Sequence, residues 1–284
     1  MTSGFDAFSL ALFTSLAPAG VVAFLTLALV RLWSRDHAAS VRLDRMIALP
    51  FSVVLVGFIA SATHLGTPAN ALHVFSGIGR SPLSNEVMSA VTFLLLAGSY
   101  WMMAFKEHFP DTLAKPWLAL ACLAGLALIA CTSMAYGVDT VPTWNTAYTP
   151  ANLALAAALA GPVLGLLFLE LAQVRPYAFE QTLAIGAGLA LAAGTVVLVL
   201  HQASLGAIEN NEFAASTLAP HYLVAIGAHF VLGALALVLA SLSLKRVQPR
   251  HTTLILRIMA SVLMLAAVFV TRIAFYHLHM TVGF

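Results

Sequence analysis

Two ionisable residues stand at the ends of long apolar segments, where they could exchange protons with a bound ligand. His64 follows one apolar run and is itself followed by Gly66, whereas Glu86 comes after a Ser-Asn pair and begins the next run. A neutral imidazole can take up a proton, and a carboxylate can relay it. Each residue also has a plainer interpretation. His64 could anchor or cap its helix, and Glu86 in a first helical turn could be held there by the helix dipole.

Arg272, Tyr276 and Asp139 are further candidates for positioning a ligand. Arg272 and Tyr276 are four residues apart in the last apolar run, so they share one face of a helix. There they could orient a ligand oxygen or pair with Glu86 or Asp139. Inserting an ionisable group at the centre of a membrane-spanning helix costs about 2.5 to 3.5 kcal/mol of free energy, so its presence there calls for a structural or functional explanation. The plainer interpretation is that Arg272 and Tyr276 anchor the helix at the membrane interface.

The composition indicates that these residues belong to a membrane protein. The chain has 284 residues, of which 61% are hydrophobic and 8% are charged, whereas a soluble protein has about 25% charged residues. At about 20 residues for each spanning helix, this composition permits roughly eight spans and no domain outside the membrane. The net charge of +2 is spread over short clusters, which excludes a nucleic-acid partner. We expect these charges to be topology markers in short, solvated turns.

The apolar runs predict an all-α integral membrane protein with eight transmembrane helices. The runs are continuous and rich in Ala and Leu. A membrane β-barrel is excluded because its strands would alternate apolar and polar residues. We expect one membrane domain over residues 1–284, built as two packed four-helix bundles. The predicted helices lie near residues 7–33, 46–64, 86–105, 117–136, 150–171, 182–201, 221–244 and 254–278.

The basic residues predict the orientation of the protein in the membrane. All Lys and Arg residues except Arg80 and Arg272 lie in or beside the four connections that follow odd-numbered helices. Because cytoplasmic loops retain Lys and Arg, both termini are expected on the periplasmic side. Two outer connections, near 64–85 and 136–150, are rich in Gly, Pro, Ser, Thr and aromatic residues. We expect them to be covered by a partner or folded into the membrane surface.

The residues alone favour quinol oxidation but leave two alternatives open. His64 and Glu86 form an acid–base pair. Proton release from a quinol explains this pair better than helix capping explains either residue alone. A b-type haem anchor needs facing histidines, and one haem on the outer side held by His64 and His201, at helix ends, is geometrically possible. A transporter needs interrupted helices. Gly161-Pro162 predicts such an interruption unless its small residue serves close helix packing.

Four segments on the predicted outer side resemble segments of a known family. They are residues 62–68 (Ala-Thr-His-Leu-Gly-Thr-Pro), 83–86 (Leu-Ser-Asn-Glu), 139–144 (Asp-Thr-Val-Pro-Thr-Trp) and 275–283 (Phe-Tyr-His-Leu-His-Met-Thr-Val-Gly). In content and order they are similar to the membrane anchor subunit of the anaerobic dimethyl sulfoxide reductase family. The resemblance covers nearly the whole sequence, although only apolar character agrees between the four segments.

This resemblance implies a haem-free, quinol-oxidising anchor of the bacterial inner membrane that takes part in anaerobic respiration. In that family, the His of the His-Leu-Gly segment and the Glu of the Ser-Asn-Glu segment serve the menaquinol site, and they match His64 and Glu86. Such an anchor binds an iron–sulfur subunit that passes electrons to a molybdopterin catalytic subunit. This protein departs from the pattern in its extra histidines, His73 and His277. The resulting candidate quinol-binding residues are His64, Gly66, Glu86, Asp139, Arg272 and Tyr276.

Overall fold

The protein is helical, and its long helices account for eight membrane-length segments. The computed structural model describes residues 4–63, 68–106, 109–209, 214–245 and 247–280. The α-helices in these ranges are α1 (Gly4–Trp33), α2 (His37–Met46), α3 (Ala48–Ala62), α4 (Pro82–Met103), α5 (Asp111–Ala135), α6 (Tyr148–Leu171), α7 (Tyr177–Ser204), α8 (Tyr222–Ser243) and α9 (Arg250–His277). Only one residue separates α2 from α3, so the two together make one segment, and eight segments are long and apolar enough to cross a membrane. The all-α prediction with eight spans is confirmed.

The second segment begins earlier than the sequence predicts, because α2 is amphipathic. Its residues include Arg42 and Arg45 and were expected to form a solvated connection. They form a helix instead, and Asp36 caps it by accepting a hydrogen bond from the Ala38 backbone N–H at 2.9 Å. A charged amphipathic helix does not appear as an apolar run, which is why the predicted span began only near residue 46.

Helix α4 also begins earlier than predicted, and this changes the interpretation of Glu86. Ser81 is the N-cap residue, with its Oγ accepting from the Ser84 N–H at 3.4 Å, and Pro82 opens the helix. Pro is favoured at this position because its missing N–H needs no partner there. Glu86 therefore lies in the second turn and is buried. The expectation that Glu86 occupies the first turn, where the helix dipole would hold it, is wrong.

The helices pack as two groups that meet at α1 and α6. Helices α1 to α5 contact one another, helices α6 to α9 form the second group, and α1 packs against both α6 and α9. A Cβ atom on Gly161 would lie 2.3 Å from Val22 Cβ, and one on Gly165 would lie 2.6 Å from Thr26 Cγ2. Small residues thus let α6 approach α1 closely. Helix α6 continues through Pro162, so the interruption that a transporter would need is not found there.

Buried ion pairs lie on the side of the bundle where α1 ends and α9 begins, which we call the basic face. Arg31 Nε is 2.8 Å from Asp44 Oδ1, and Arg31 is 3% exposed. In the second group, Arg257 Nη2 is 2.8 Å from Glu180 Oε1, and neither side chain is exposed. Glu170, also buried, lies 3.8 Å from Arg257 Nη1. The expectation that the charges mark only solvated turns is therefore wrong for Arg31 and Arg257, because burial requires that they be paired.

Candidate functional site

The predicted site residues that the structure describes lie on the side opposite the basic face, where α9 ends. We call this side the Trp144 face. Three of these residues, Glu86, Arg272 and Tyr276, are buried inside the bundle, with exposed fractions of 5%, 4% and 3%. Two others, His64 and Gly66, lie outside the described residues. The structure thus brings together a carboxyl group, a guanidinium group and a phenol from helices α4 and α9.

Asp139 lies at the exposed rim of this face. Its Oδ1 accepts a hydrogen bond from Asn145 Nδ2 at 2.7 Å within the turn that follows α5. The extra histidines, His73 and His277, are also exposed. None of these three residues joins the buried group, and the predicted pairing of Arg272 with Asp139 is not formed.

Glu86 supplies a buried carboxyl group between α4, α5 and α9. Thr132 of α5 lies beside the carboxyl group, and Tyr136 and Tyr276 are close enough to interact with it electrostatically. Its Oε1 atom accepts no hydrogen bond from the described residues. Because an unpartnered buried oxygen costs about 1 to 3 kcal/mol, this atom is a candidate contact for a ligand or a water molecule.

Two tyrosines, Tyr136 and Tyr276, are electrostatic neighbours of both Glu86 and Arg272. The Tyr136 and Tyr276 rings meet edge to face with centroids 5.6 Å apart, and their hydroxyl groups interact. The Tyr276 hydroxyl also donates to Thr14 Oγ1 at 3.3 Å. Arg272 lies within electrostatic range of both tyrosines and makes no ion pair with a carboxylate of the described residues. The predicted pairing of Arg272 with Glu86 is therefore replaced by an indirect connection through phenols.

Tyr136, which follows the last residue of α5, is held in its neutral form. Burial raises its pKa well above the ordinary value, and the neighbouring Tyr276 and Glu86 add to this effect. A neutral phenol can both donate and accept a hydrogen bond. Tyr136 can therefore connect two groups without adding a charge to this buried region.

Trp144 folds the connection between α5 and α6 onto the end of the bundle. Its indole Nε1 donates to the Phe275 carbonyl at 3.1 Å, and the two rings stack with centroids 5.3 Å apart. Thr143 beside it is fully buried. His279 packs against Trp144 with ring centroids 5.0 Å apart, and burial lowers its pKa. The connection thus packs onto the end of the bundle, and its expected cover by a partner or by the membrane surface stays a prediction.

An apolar groove opens between α3 and α4 close to the turn that carries Glu86. Its volume is about 310 Å³, which is within the range of small-molecule sites. The 3₁₀ helix Pro68–Gly77 lies along it. Val87, the residue after Glu86, lines the groove, whereas the Glu86 side chain turns into the bundle. The main apolar side chains of the groove are Phe58, Phe75, Leu83, Val87 and Val91.

Of the two histidines considered for haem, His201 is the one that the structure describes, and it has other partners. His201 is fully buried, with Nδ1 3.2 Å from the Tyr222 hydroxyl and Nε2 3.3 Å from the Thr143 carbonyl oxygen, so neither ring nitrogen is free. His229 Nδ1 lies 3.0 Å from the Ala267 carbonyl oxygen. Among the residues the structure describes, no group of three or more His, Cys, Asp or Glu side chains could hold a metal ion.

Sequence reasoning did not select Tyr136 or Thr132 as site residues. Both lie at the end of an apolar run, and their neighbours come from distant parts of the sequence, so the local pattern carries no sign of their role. The one available signal is that Tyr136 is an aromatic residue at a predicted membrane interface, a position that many anchoring residues share.

Comparison with known proteins identifies the family. A family model described as the DMSO reductase anchor subunit (DmsC) matches residues 1–278. The chain belongs to the DmsC family. It is 35% identical over 288 residues to an anaerobic dimethyl sulfoxide reductase chain of Escherichia coli, and 33% identical over 290 residues to a second such chain of that organism, YnfH. It is 28% identical over 284 residues to an anaerobic dimethyl sulfoxide reductase chain of Haemophilus influenzae, and each match covers all of this protein and 98% of the relative.

Membership of the DmsC family confirms the resemblance carried by the four outer segments. The protein is an anchor subunit of a DMSO reductase complex, with eight helices able to span the bacterial inner membrane. An anchor of this kind has catalytic and iron–sulfur partner subunits. Its family is also suited to interaction with a quinol, which gives the buried groups at the Trp144 face a chemical context.

Proposed function

We propose that this DmsC-family protein oxidises menaquinol at the Trp144 face and passes the electrons to an iron–sulfur subunit. The quinol loses two electrons and two protons and becomes a quinone. His64 takes a proton from a quinol oxygen, and Glu86 relays it to the periplasm. Gly66 lets the backbone approach the ring closely. Arg272 and Tyr276 position the reacting groups from within the bundle, and Asp139 stays a candidate at the rim.

The observation that carries this proposal is that Glu86 directly precedes Val87, which lines the apolar groove, and buries a carboxyl oxygen that has no hydrogen-bond partner among the described residues. A quinol is an apolar ring and tail with two hydroxyl groups, so its site needs apolar walls and a few polar atoms. The groove between α3 and α4 supplies the walls, and Glu86 Oε1 is a buried acceptor without a partner among the described residues. His64 follows α3 in the sequence and Glu86 lies on α4, so both belong to the elements that form the groove.

The electrons leave the anchor directly for a cluster in the iron–sulfur subunit. That subunit docks over the connections at 64–81 and 136–147. In the first connection, Leu72 is 77% exposed and Ile78 is 45% exposed. Exposed apolar side chains outside the membrane-spanning helices are typical of a surface that a partner covers.

The orientation proposed for the complex has both termini of the anchor in the periplasm. This orientation is supported by the concentration of Lys and Arg at the opposite face, because cytoplasmic loops retain these residues. Protons from the quinol are then released on the periplasmic side. Neither a haem anchor nor a transporter is favoured by a feature of the described residues.

Replacing Glu86 by Gln in the complete complex tests the proposal. The variant keeps the side-chain size but removes the acid–base group, so we expect quinol-driven reduction of dimethyl sulfoxide to fall by about 10²-fold or more. Reduction driven by a viologen dye, which supplies electrons to the soluble subunits, should be unchanged. Glu209→Gln, at an exposed carboxylate of the same face, is the matched control and should behave as wild type. Normal quinol-driven activity in both Glu86→Gln and His64→Gln would contradict the site.

A further inference from the structure

A small cavity lies behind Arg272, away from the groove. It has a volume of about 20 Å³ and is lined by residues of α6, α7, α8 and α9. Asn152, Tyr222, His229, Thr271 and Arg272 give it a polar lining. A cavity needs about 10 to 15 Å³ to hold one water molecule. This space therefore fits one water molecule, and it is far too small for a quinone ring.

Three polar atoms in the lining have no hydrogen-bond partner among the described residues. They are Asn152 Oδ1, His229 Nε2 and Arg272 Nη2. His229 and Arg272 are 3% and 4% exposed. The other polar side chains of the cavity are already bonded, because the Tyr222 hydroxyl pairs with His201 and the Thr271 hydroxyl donates to a backbone carbonyl.

The chemistry of these three atoms matches one water molecule. His229 Nδ1 faces the Ala267 carbonyl oxygen at 3.0 Å, so Nδ1 must carry the proton and donate it. In the neutral ring, Nε2 is then an acceptor. Asn152 Oδ1 is a second acceptor, and Arg272 Nη2 is a donor. A water molecule donates twice and accepts once in such a setting, and buried waters typically make about three hydrogen bonds.

An anion fits this lining less well. Two of the three unpartnered atoms are acceptors, so an anion would require Asn152 to turn its amide and His229 to become charged. The guanidinium of Arg272 alone would not provide a complete set of donors. Water needs neither change.

We propose that helices α6 to α9 enclose a buried one-water site in which the water joins Asn152, His229 and Arg272 and fixes the Arg272 guanidinium. Arg272 has no carboxylate partner among the described residues, so the water takes part in solvating its charge inside the membrane. His229 and Asn152 are positioning residues in this arrangement. The site does not depend on whether the complex oxidises quinol.

A structure of the complete complex in lipid nanodiscs, at a resolution that shows ordered waters, tests the site. We expect one density peak within hydrogen-bond distance of all three atoms in the wild type. His229→Phe, which fills the cavity, should remove the peak and shift the Arg272 side chain. An empty wild-type cavity would overturn the proposal. A peak that becomes stronger after purification in bromide instead of chloride would also overturn it, because it would identify an anion.

A second measurement compares two substitutions of His229 by thermal unfolding of the complex. His229→Leu leaves the water without one partner and should lower Tm by several degrees. His229→Gln, which keeps a polar end, should recover most of that loss. His221→Leu, at an exposed histidine just before α8, is the matched control and should leave Tm unchanged. Equal losses in the Leu and Gln variants would contradict a hydrogen-bonding role for His229.

Discussion

At the scale of single residues, Tyr136 and Tyr276 are electrostatic neighbours of both Glu86 and Arg272, which form no ion pair with each other. A direct ion pair between Glu86 and Arg272 would favour the charged carboxylate. The two tyrosines that neighbour Glu86 are phenols, which can donate and accept hydrogen bonds without carrying a charge. Glu86 is therefore not fixed in one protonation state by an arginine partner, which is what a proton-relaying group requires.

Tyr136→Phe tests whether the phenol serves the reaction. The substitution keeps the ring in the aromatic cluster and removes the hydroxyl that interacts with Tyr276. Since one hydrogen bond contributes about 0.5 to 1.5 kcal/mol, we expect quinol-driven activity to fall by up to about tenfold, with viologen-driven activity unchanged.

The matched control for this substitution lies on the basic face. Tyr100 is fully buried and its hydroxyl donates to Asp44 at 2.5 Å. Tyr100→Phe should lower thermal stability and leave the rate of quinol oxidation near the wild-type value. Equal rates in Tyr136→Phe and the wild type would show that the Tyr136 hydroxyl has no part in the reaction.

The sequence predicts charged site residues better than neutral ones. Glu86 and Arg272 stand out because a charge in an apolar run needs an explanation. Tyr136 does not stand out, because a tyrosine at a helix end has a common anchoring role. Its contact with α9 joins residues far apart in the sequence, and no local pattern encodes such a contact.

At the scale of helices, close packing of α6 on α1 joins the two halves of the protein. Lipid offers little hydrophobic driving force for helix association, so the association of helices in membranes depends on close van der Waals packing between them. Gly161 and Gly165 are four residues apart and lie on one face of α6. Both meet β-branched residues of α1 at distances that leave no room for a methyl group.

Gly165→Ala should destabilise the protein through this contact. Its Cβ would lie 2.6 Å from Thr26 Cγ2, and overpacking of this kind costs about 1 to 3 kcal/mol. Gly186→Ala, at a glycine of α7 whose added Cβ meets nothing within 4 Å, is the matched control. It should be neutral or slightly stabilising because Ala favours helix over Gly. Thermal unfolding of the purified complex measures both, and equal Tm values would contradict the packing argument.

Helix existence is easier to predict from the sequence than helix ends. All eight apolar runs correspond to helices, because a span needs about 20 apolar residues. The early start of α4 at Pro82 follows from a Ser cap and a Pro in the first turn, a signal that the apolar run does not contain. The amphipathic α2 likewise carries charges that a search for apolar runs passes over.

At the scale of the whole molecule, the two faces of the bundle differ in chemistry. The basic face carries most of the Lys and Arg residues and buries Arg31 and Arg257 in ion pairs. The Trp144 face buries a carboxyl group, phenols and an arginine without a carboxylate partner among the described residues. The proposed quinol site at the Trp144 face and the basic residues from which the orientation is argued therefore lie at opposite ends of the bundle.

Labelling of single cysteines tests the proposed orientation. Glu209 is exposed at the Trp144 face outside the connections that we propose the partner covers, and Val247 is 97% exposed at the basic face. In a background without Cys122 and Cys131, we expect Glu209→Cys to react with a membrane-impermeant thiol reagent in intact spheroplasts. Val247→Cys should react only after lysis. The reverse pattern would place the termini in the cytoplasm.

The ion pairs of the basic face form at different stages of synthesis, because their partners lie at different distances along the sequence. Arg31 meets Asp44 only 13 residues later in the sequence, so this pair can form while most of the protein is still unmade. Glu180, in contrast, must enter the membrane long before Arg257 emerges, because synthesis runs from the N-terminus. Until α9 arrives, Glu180 has only the half-buried Arg175 within 4 Å as a cationic neighbour among the described residues. Helix α9 therefore completes the second group of helices in two ways: it packs against them, and its Arg257 supplies the cation that pairs with Glu180.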